Sequence, residues 1–347
     1  MQEIQEQVEI PKKTNAVWII ISLLTACLSC VIGCMLYIAY NLDTLEKLLE
    51  PAKYSVMRGS SIIAEFDEIN DAINKAATIT RSVVVDNETG VWIQSNFLPF
   101  MVFTNWGTYD FSTYAQAVSY ATRYEITAVY FMGNQTIIWE KDYEFPEFQC
   151  VEMPLIRQMP ELPRGCEVTS LAMLLNYYGV DVTKMQLAAE VAKDDTSYST
   201  DAYGNIYYGN PYDGFVGDMY NFKNHGYGVY HGPIADLAST YLGEHVIDIT
   251  GASFEEMLQF VARGYPVWVV TNTSYAYLPS SQFQTWYTPT GVIQITYKMH
   301  SVVITGLTED LIFINDPLDY STNKAVDLDN FRDAWNQMGQ QAVVIVD

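Results

Sequence analysis

The chain is 347 residues long, 49% hydrophobic and 17% charged, with a formal net charge of −23. That length exceeds one typical domain, and that composition belongs to packed cores and excludes a disordered chain. With no Lys/Arg cluster beyond Lys12–Lys13, nothing displaces the counterions of a nucleic-acid backbone, and an acidic body is repelled by anionic headgroups.

Residues 1–15 form a polar tail, and 25 mostly apolar positions follow from Ala16 to Tyr40, with no charge between Lys13 and Asp43. As a helix this stretch is about 37 Å long, enough to cross a hydrocarbon core of about 30 Å. Trp18 near one end and Tyr37 and Tyr40 near the other suit the two interfaces. Lys12 and Lys13 precede it; Asp43, Glu46 and Glu50 follow. The positive-inside rule then predicts a single-pass anchor over 16–40, a cytoplasmic tail over 1–15, a linker over 41–54 and a body at the cell surface. A signal peptide has a shorter apolar core and a small-residue cleavage site, which this stretch lacks. Leu24-Thr25-Ala26-Cys27 resembles a lipoprotein cleavage site, but the residues after Cys27 stay apolar to Tyr40, which favours the uncleaved helix.

Residues 55–145 read as a small α+β module in two copies at an offset of 45: Phe66, Ala72, Ala76 and Val84 match Phe111, Ala117, Ala121 and Val129. Each copy reads as strand, helix, strand, turn, strand. In the second these are Phe100–Thr104, Tyr114–Tyr124, Thr127–Met132, Gly133-Asn134 and Thr136–Lys141. Ala115, Val118, Ala121 and Thr122 recur at core spacing. Neither copy carries His, Cys or a catalytic pair of carboxylates, so the module reads as a stalk or recognition unit, with Trp106 and Tyr109 available to a ligand.

Residues 151–347 carry the chemistry. A helix from Val168 to Tyr178 is apolar at Val168, Leu171, Leu174, Leu175 and Tyr178, and Gly179 stops it. Cys166 stands at its first turn, where the helix N-terminus favours a thiolate and lowers a thiol pKa. Gly165 before it allows a substrate backbone to approach closely. Further on, His300 enters an apolar strand, Leu307–Asp310 turns, and a second strand, Leu311–Asn315, ends at Asp316-Pro317. Antiparallel pairing sets His300 beside Asp316. The imidazole then takes the thiol proton while Asp316 holds its other nitrogen. Gln158, eight residues before Cys166, can join the Cys166 N–H in donating to an oxyanion. Of the five cysteines, 27, 30 and 34 lie in the apolar stretch, so there is no disulfide framework; a Cys150–Cys166 bridge would disable the nucleophile. His225, His231 and His245 lack partners at metal spacing, and the expectation is neither metal nor cofactor.

Together Gln158, Gly165-Cys166, His300-Ser301-Val302-Val303 and Asn315-Asp316-Pro317 resemble the papain-like cysteine peptidases. Their order and spacing are similar to the bacteriocin-processing double-glycine peptidase family, in its free-standing branch not fused to a transporter. The likeness runs from Pro154 to Asp347 and includes Arg263-Gly264-Tyr265-Pro266-Val267-Trp268-Val269 ahead of the histidine. It implies an α+β chain with a papain-like peptidase domain over 151–347, acting on peptide bonds. Between nucleophile and base, Asp194 to Pro233 is rich in Tyr, Gly, Asn and Asp; it reads equally as a groove wall for an extended peptide or sugar and as a structural loop. The expectation is a membrane-anchored extracellular cysteine peptidase with a peptide or protein substrate. The same residues would serve a cell-wall peptide amidase or transpeptidase, and a non-catalytic surface binding protein is the alternative of another class.

Overall fold

The computed structural model describes residues 14–49 and 51–347. Thr14–Leu49 is one helix of 36 residues. Its apolar part, Val17–Leu42, has no buried share and is long enough to cross a membrane, as an anchor or a signal sequence is. The helix continues through much of the expected linker, because 41–49 contains neither Gly nor Pro and Pro51 is the first stop. The expected tail, with Lys12 and Lys13, lies outside the described residues except for the backbone of Thr14 and Asn15; Glu50 lies outside them too.

Two units of like build follow. The first comprises strands Tyr54–Arg58 and Ser61–Phe66, helix Ile69–Ala76, and strands Val83–Asp86 and Trp92–Ser95. The second comprises strands Phe100–Thr104 and Gly107–Phe111, helix Tyr114–Arg123, and strands Ala128–Phe131 and Thr136–Glu140. Each forms a four-stranded sheet in the order second, first, third, fourth. The extra strand ahead of each helix departs from the reading of the sequence. Both extra strands lie at a sheet edge with few or no buried residues, so neither shows the apolar alternation that marks a strand.

The two units differ in what they pack against. Val56, Ala72, Ala76 and Val84 close a small core inside the first. In the second, Phe100, Val102, Ala117, Val118, Ala121 and Val129 belong to the same core as Phe254, Phe260 and Trp335 of the C-terminal body. Polar contacts fasten that junction. The Gln259 side chain accepts from the Glu140 N–H (2.8 Å) and donates to the Glu140 carbonyl (2.9 Å). Arg263 pairs with the Glu140 carboxylate at 2.7 Å and lies 4.2 Å over the Tyr143 ring.

The body is built on a seven-stranded sheet. Its order is Val246–Asp248, Ala342–Ile345, Val267–Asn272, Met299–Thr308, Leu311–Asn315, Lys324–Asp327, with Phe148–Cys150 pairing on Met299–Thr308. Every residue of Val267–Asn272 is buried, the signature of a strand covered on both faces. Trp268 and Val270 point into one core with helices Cys166–Tyr177, Lys184–Glu190 and His231–Leu242. Val267 and Val269 point into the other with helices Phe254–Ala262 and Leu328–Gln337, as a side-chain period of two requires. The Tyr-rich segment packs into the core at some positions and borders a cleft at others. Tyr208 and Tyr227 pack on Trp286 with ring centroids 5.2 and 5.1 Å away, inside the first core, while Phe222, Gly226 and Tyr227 face a cleft.

Candidate active site

Cys166 is the first residue of its helix, with Gly165 as the cap. Gly165 is required by the chain itself: a Cβ there would stand 2.6 Å from the Leu162 Cβ, in a tight turn closed by the Gly165 N–H on the Leu162 carbonyl. Ten residues of the helix are buried. Ser170 Oγ donates to the Ser301 carbonyl at 3.0 Å and Trp268 Nε1 to the Glu167 carbonyl at 3.0 Å, which locks the helix start against the strand bearing His300 and its neighbour Val267–Asn272.

The hairpin Met299–Thr308/Leu311–Asn315 pairs Val303 with Asn315, so the residues just beyond that pair converge. His300 Nε2 lies 2.7 Å from Asp316 Oδ1, and both side chains are buried. Asp316 Oδ1 also accepts from the Leu318 N–H (2.9 Å), and Oδ2 accepts from the Tyr275 hydroxyl (2.6 Å). Burial opposes ionisation of Asp316, but His300, Tyr275 and Leu318 outweigh it and hold the carboxyl below the ordinary carboxylate range. With Nε2 committed to Asp316, Nδ1 is the nitrogen left for a proton from sulfur.

Cys166, His300 and Gln158 line one cleft of about 520 Å³, walled by Phe222, Tyr227, Tyr297, Met159, Met299 and Leu318. Gln158 reaches it because its N–H donates to the Pro317 carbonyl (2.9 Å), tying the entering segment to the loop after Asp316. Its Nε2 donates to the Leu162 and Pro163 carbonyls at 3.2 and 3.0 Å, and its Oε1 is buried without a partner. An oxyanion would therefore have to take the place of one of those carbonyls.

The thiol departs from the expectation of a lowered pKa. Burial first, and then the neighbouring Glu167 carboxyl, push Cys166 well above the ordinary thiol range; desolvation of the anion outweighs the favourable helix end. Cys150 is also free. It pairs with Gly306, six residues along the strand from His300 and so on the order of 20 Å away, too far for a bridge to Cys166. Of the other histidines, His231 Nδ1 meets Asp248 Oδ2 at 2.6 Å, His245 Nδ1 meets the Val346 carbonyl at 2.7 Å and His225 stacks on Tyr198 at 3.7 Å.

Two residues at the site escape a reading of the sequence. Tyr275 sits 41 positions from Asp316 in an irregular loop, with no periodicity to mark it. Glu167 is adjacent to Cys166, and on the surface side of a helix it would be an ordinary first-turn acid; here it is completely buried.

A cysteine at a helix start and a buried His–Asp pair at a sheet hairpin thus line one cleft. Residues 150–343 match the Peptidase_C39-like family, and the chain belongs to that family. It is 48% identical over 197 residues to the uncharacterized protein YvpB of Bacillus subtilis strain 168, covering 56% of this chain and 75% of that one. The crystal structure of a C39-like protein from Bacillus anthracis matches 58% of this chain and 98% of its own, at 45% identity and a TM-score of 0.54. A double glycine motif protease from an AMS/PCAT transporter, solved in complex with its leader peptide, is 15% identical with a TM-score of 0.31, a likeness too faint to bear weight.

Proposed function

We propose that this chain is a membrane-anchored cysteine peptidase that hydrolyses peptide bonds outside the cell through Cys166, His300 and Asp316. The observation that carries the reading is the 2.7 Å contact of His300 Nε2 with Asp316, beside Cys166 in one cleft. A substrate carbonyl enters that cleft, and the Cys166 proton passes to His300 Nδ1. The thiolate attacks the carbonyl carbon, and the oxyanion is met by the Cys166 N–H, one of the N–H groups that a helix start leaves without an intrahelical partner, and by Gln158 Nε2 released from one carbonyl. His300 returns the proton to the leaving amine, and water then hydrolyses the thioester by the same relay. The wall of Phe222, Tyr227, Tyr297 and Met299 suits an extended peptide with an apolar side chain next to the scissile bond.

The test is alkylation of Cys166 with a neutral thiol reagent, followed by peptide-map mass spectrometry. Selective labelling that falls at least tenfold in His300→Ala supports the reading; labelling unchanged by His300→Ala refutes it. Amine release from isolated cell wall against a mixed peptide library separates a cell-wall amidase from a general peptidase. Orientation is tested by adding protease to intact cells. Loss of the body with survival of a short N-terminal fragment is the expected result.

A further inference from the structure

Among the described residues, Glu167 is the one carboxyl hydrogen-bonded to the Cys166 sulfur. It is completely buried. Its Oε2 lies 3.3 Å from Cys166 Sγ, and its Oε1 accepts the Val229 N–H at 2.9 Å. The niche is built for it: at Gly228 a Cβ would stand 2.1 Å from Glu167 Oε1 and 2.3 Å from Met299 Cε, so the loop approaches this carboxyl only as glycine. The other ionisable groups that face it are Tyr227 and Tyr230, joined hydroxyl to hydroxyl at 2.9 Å, and Cys166 itself. Beyond the sulfur stand His300 and Asp316 from the sheet and Tyr275 from the loop after Asn272. Among the described residues, burial and the hydrogen bonds from Val229 and Cys166 set the state of the carboxyl, with no cation paired to it.

Resting on the peptidase reading above, we propose that Glu167 is a positioning residue that governs the charge on Cys166: as carboxylate it holds the thiol hydrogen, and as carboxylic acid it donates to the thiolate. The two states follow from geometry. A carboxylate 3.3 Å from sulfur in a dry site can accept S–H, but it opposes a second negative charge there. When Glu167 takes a proton from solvent, that repulsion disappears. The Cys166 proton then moves to His300 Nδ1, leaving a thiolate–imidazolium pair, and the Glu167 O–H turns to the sulfur. Burial pushes this carboxyl up to about 7, which places the change of state near neutrality. The reactive thiolate is then favoured on the acid side of that point.

The experiment is the second-order rate of Cys166 alkylation by iodoacetamide from pH 5.5 to 8.5 on the full chain in detergent, for the native protein and Glu167→Gln. Glutamine keeps the shape and the oxygen that accepts the Val229 N–H, and its amide N–H can donate to the sulfur as the carboxylic acid would, but it cannot carry charge. The ratio of the variant rate to the native rate should rise at least tenfold from pH 5.5 to 8.5, whatever its starting value. A ratio that stays level across that range overturns the proposal, because a merely structural role shifts the rate without tilting its pH profile. If Glu167→Gln does not fold, infrared difference spectra of the native protein decide. A protonated carboxyl band that titrates near neutrality and shifts when Cys166 is alkylated supports the proposal, and its absence overturns it. Failure of the peptidase reading is distinguishable, since it shows as labelling that ignores His300→Ala at every pH.

Discussion

Two carboxyls flank Cys166 and His300, and their environments drive them in opposite directions. Asp316 is held below the ordinary carboxylate range, so it binds fewer protons folded than unfolded. Its contribution to stability is complete above its unfolded value of about 3.9 and is lost as pH falls through its folded value. Glu167, pushed up to about 7, binds more protons folded than unfolded. Its contribution is complete below its unfolded value of about 4.3 and is lost as pH rises through about 7. Urea unfolding at pH 5.5 and 8.5 should therefore show Glu167→Gln gaining on the native protein at the higher pH by about 2 kcal/mol, the part of the displacement that lies between pH 5.5 and about 7. No relative gain would mean that the buried carboxyl is ionised throughout. Asp316→Asn should lower kcat/KM on a peptide substrate by a hundredfold or more, on the order of what tautomer-holding acids contribute elsewhere. Tyr275→Phe removes the short donor to Asp316 Oδ2 and leaves Lys324 Nζ at 3.5 Å, so urea unfolding should show a loss of roughly 1–2 kcal/mol.

At the scale of elements, the site depends on loops that reach close approach only through glycine. Gly226 lines the cleft, and a Cβ there would stand 2.3 Å from the Asp218 carbonyl oxygen, with the backbone N and C of Asp218 close behind. Backbone cannot move aside as a side-chain tip can, so Gly226→Ala should displace the cleft wall and destabilise by about 1–3 kcal/mol, the range for overpacking. Thermal melting checks the first effect, and KM for a peptide that contacts Phe222 and Tyr227 checks the second. The hairpin from Met299 to Asn315 is the opposite case. Its pairing is local, so a separation of 16 residues in sequence becomes 2.7 Å in space.

For the whole molecule, the division of labour between the two repeated units leads to a truncation test. The first unit closes its own small core, whereas the second completes a core of the C-terminal body. A chain shortened to 98–347 should therefore melt within a few degrees of a 51–347 chain. A chain shortened to 146–347 exposes Phe254, Phe260 and their neighbours and should melt lower or aggregate. Equal melting of the two shorter chains would show that the second unit is only a passenger.

Local patterns determined much of this protein. A continuous apolar run marks the N-terminal helix; a period of 3.6 marks the helix after Cys166; and a hairpin that joins two apolar strands brings His300 to Asp316. Each of these is written within some twenty or thirty consecutive residues, where periodicity and pairing are legible. What tertiary structure decided has no local trace. The contacts of Glu140 with Gln259 span 119 positions, Val229 with Glu167 62 and Tyr275 with Asp316 41. The helix end that favours a thiolate was readable. The burial that opposes it, and the carboxyl placed against the sulfur, arise only when the helix packs against the sheet and a glycine loop closes over both.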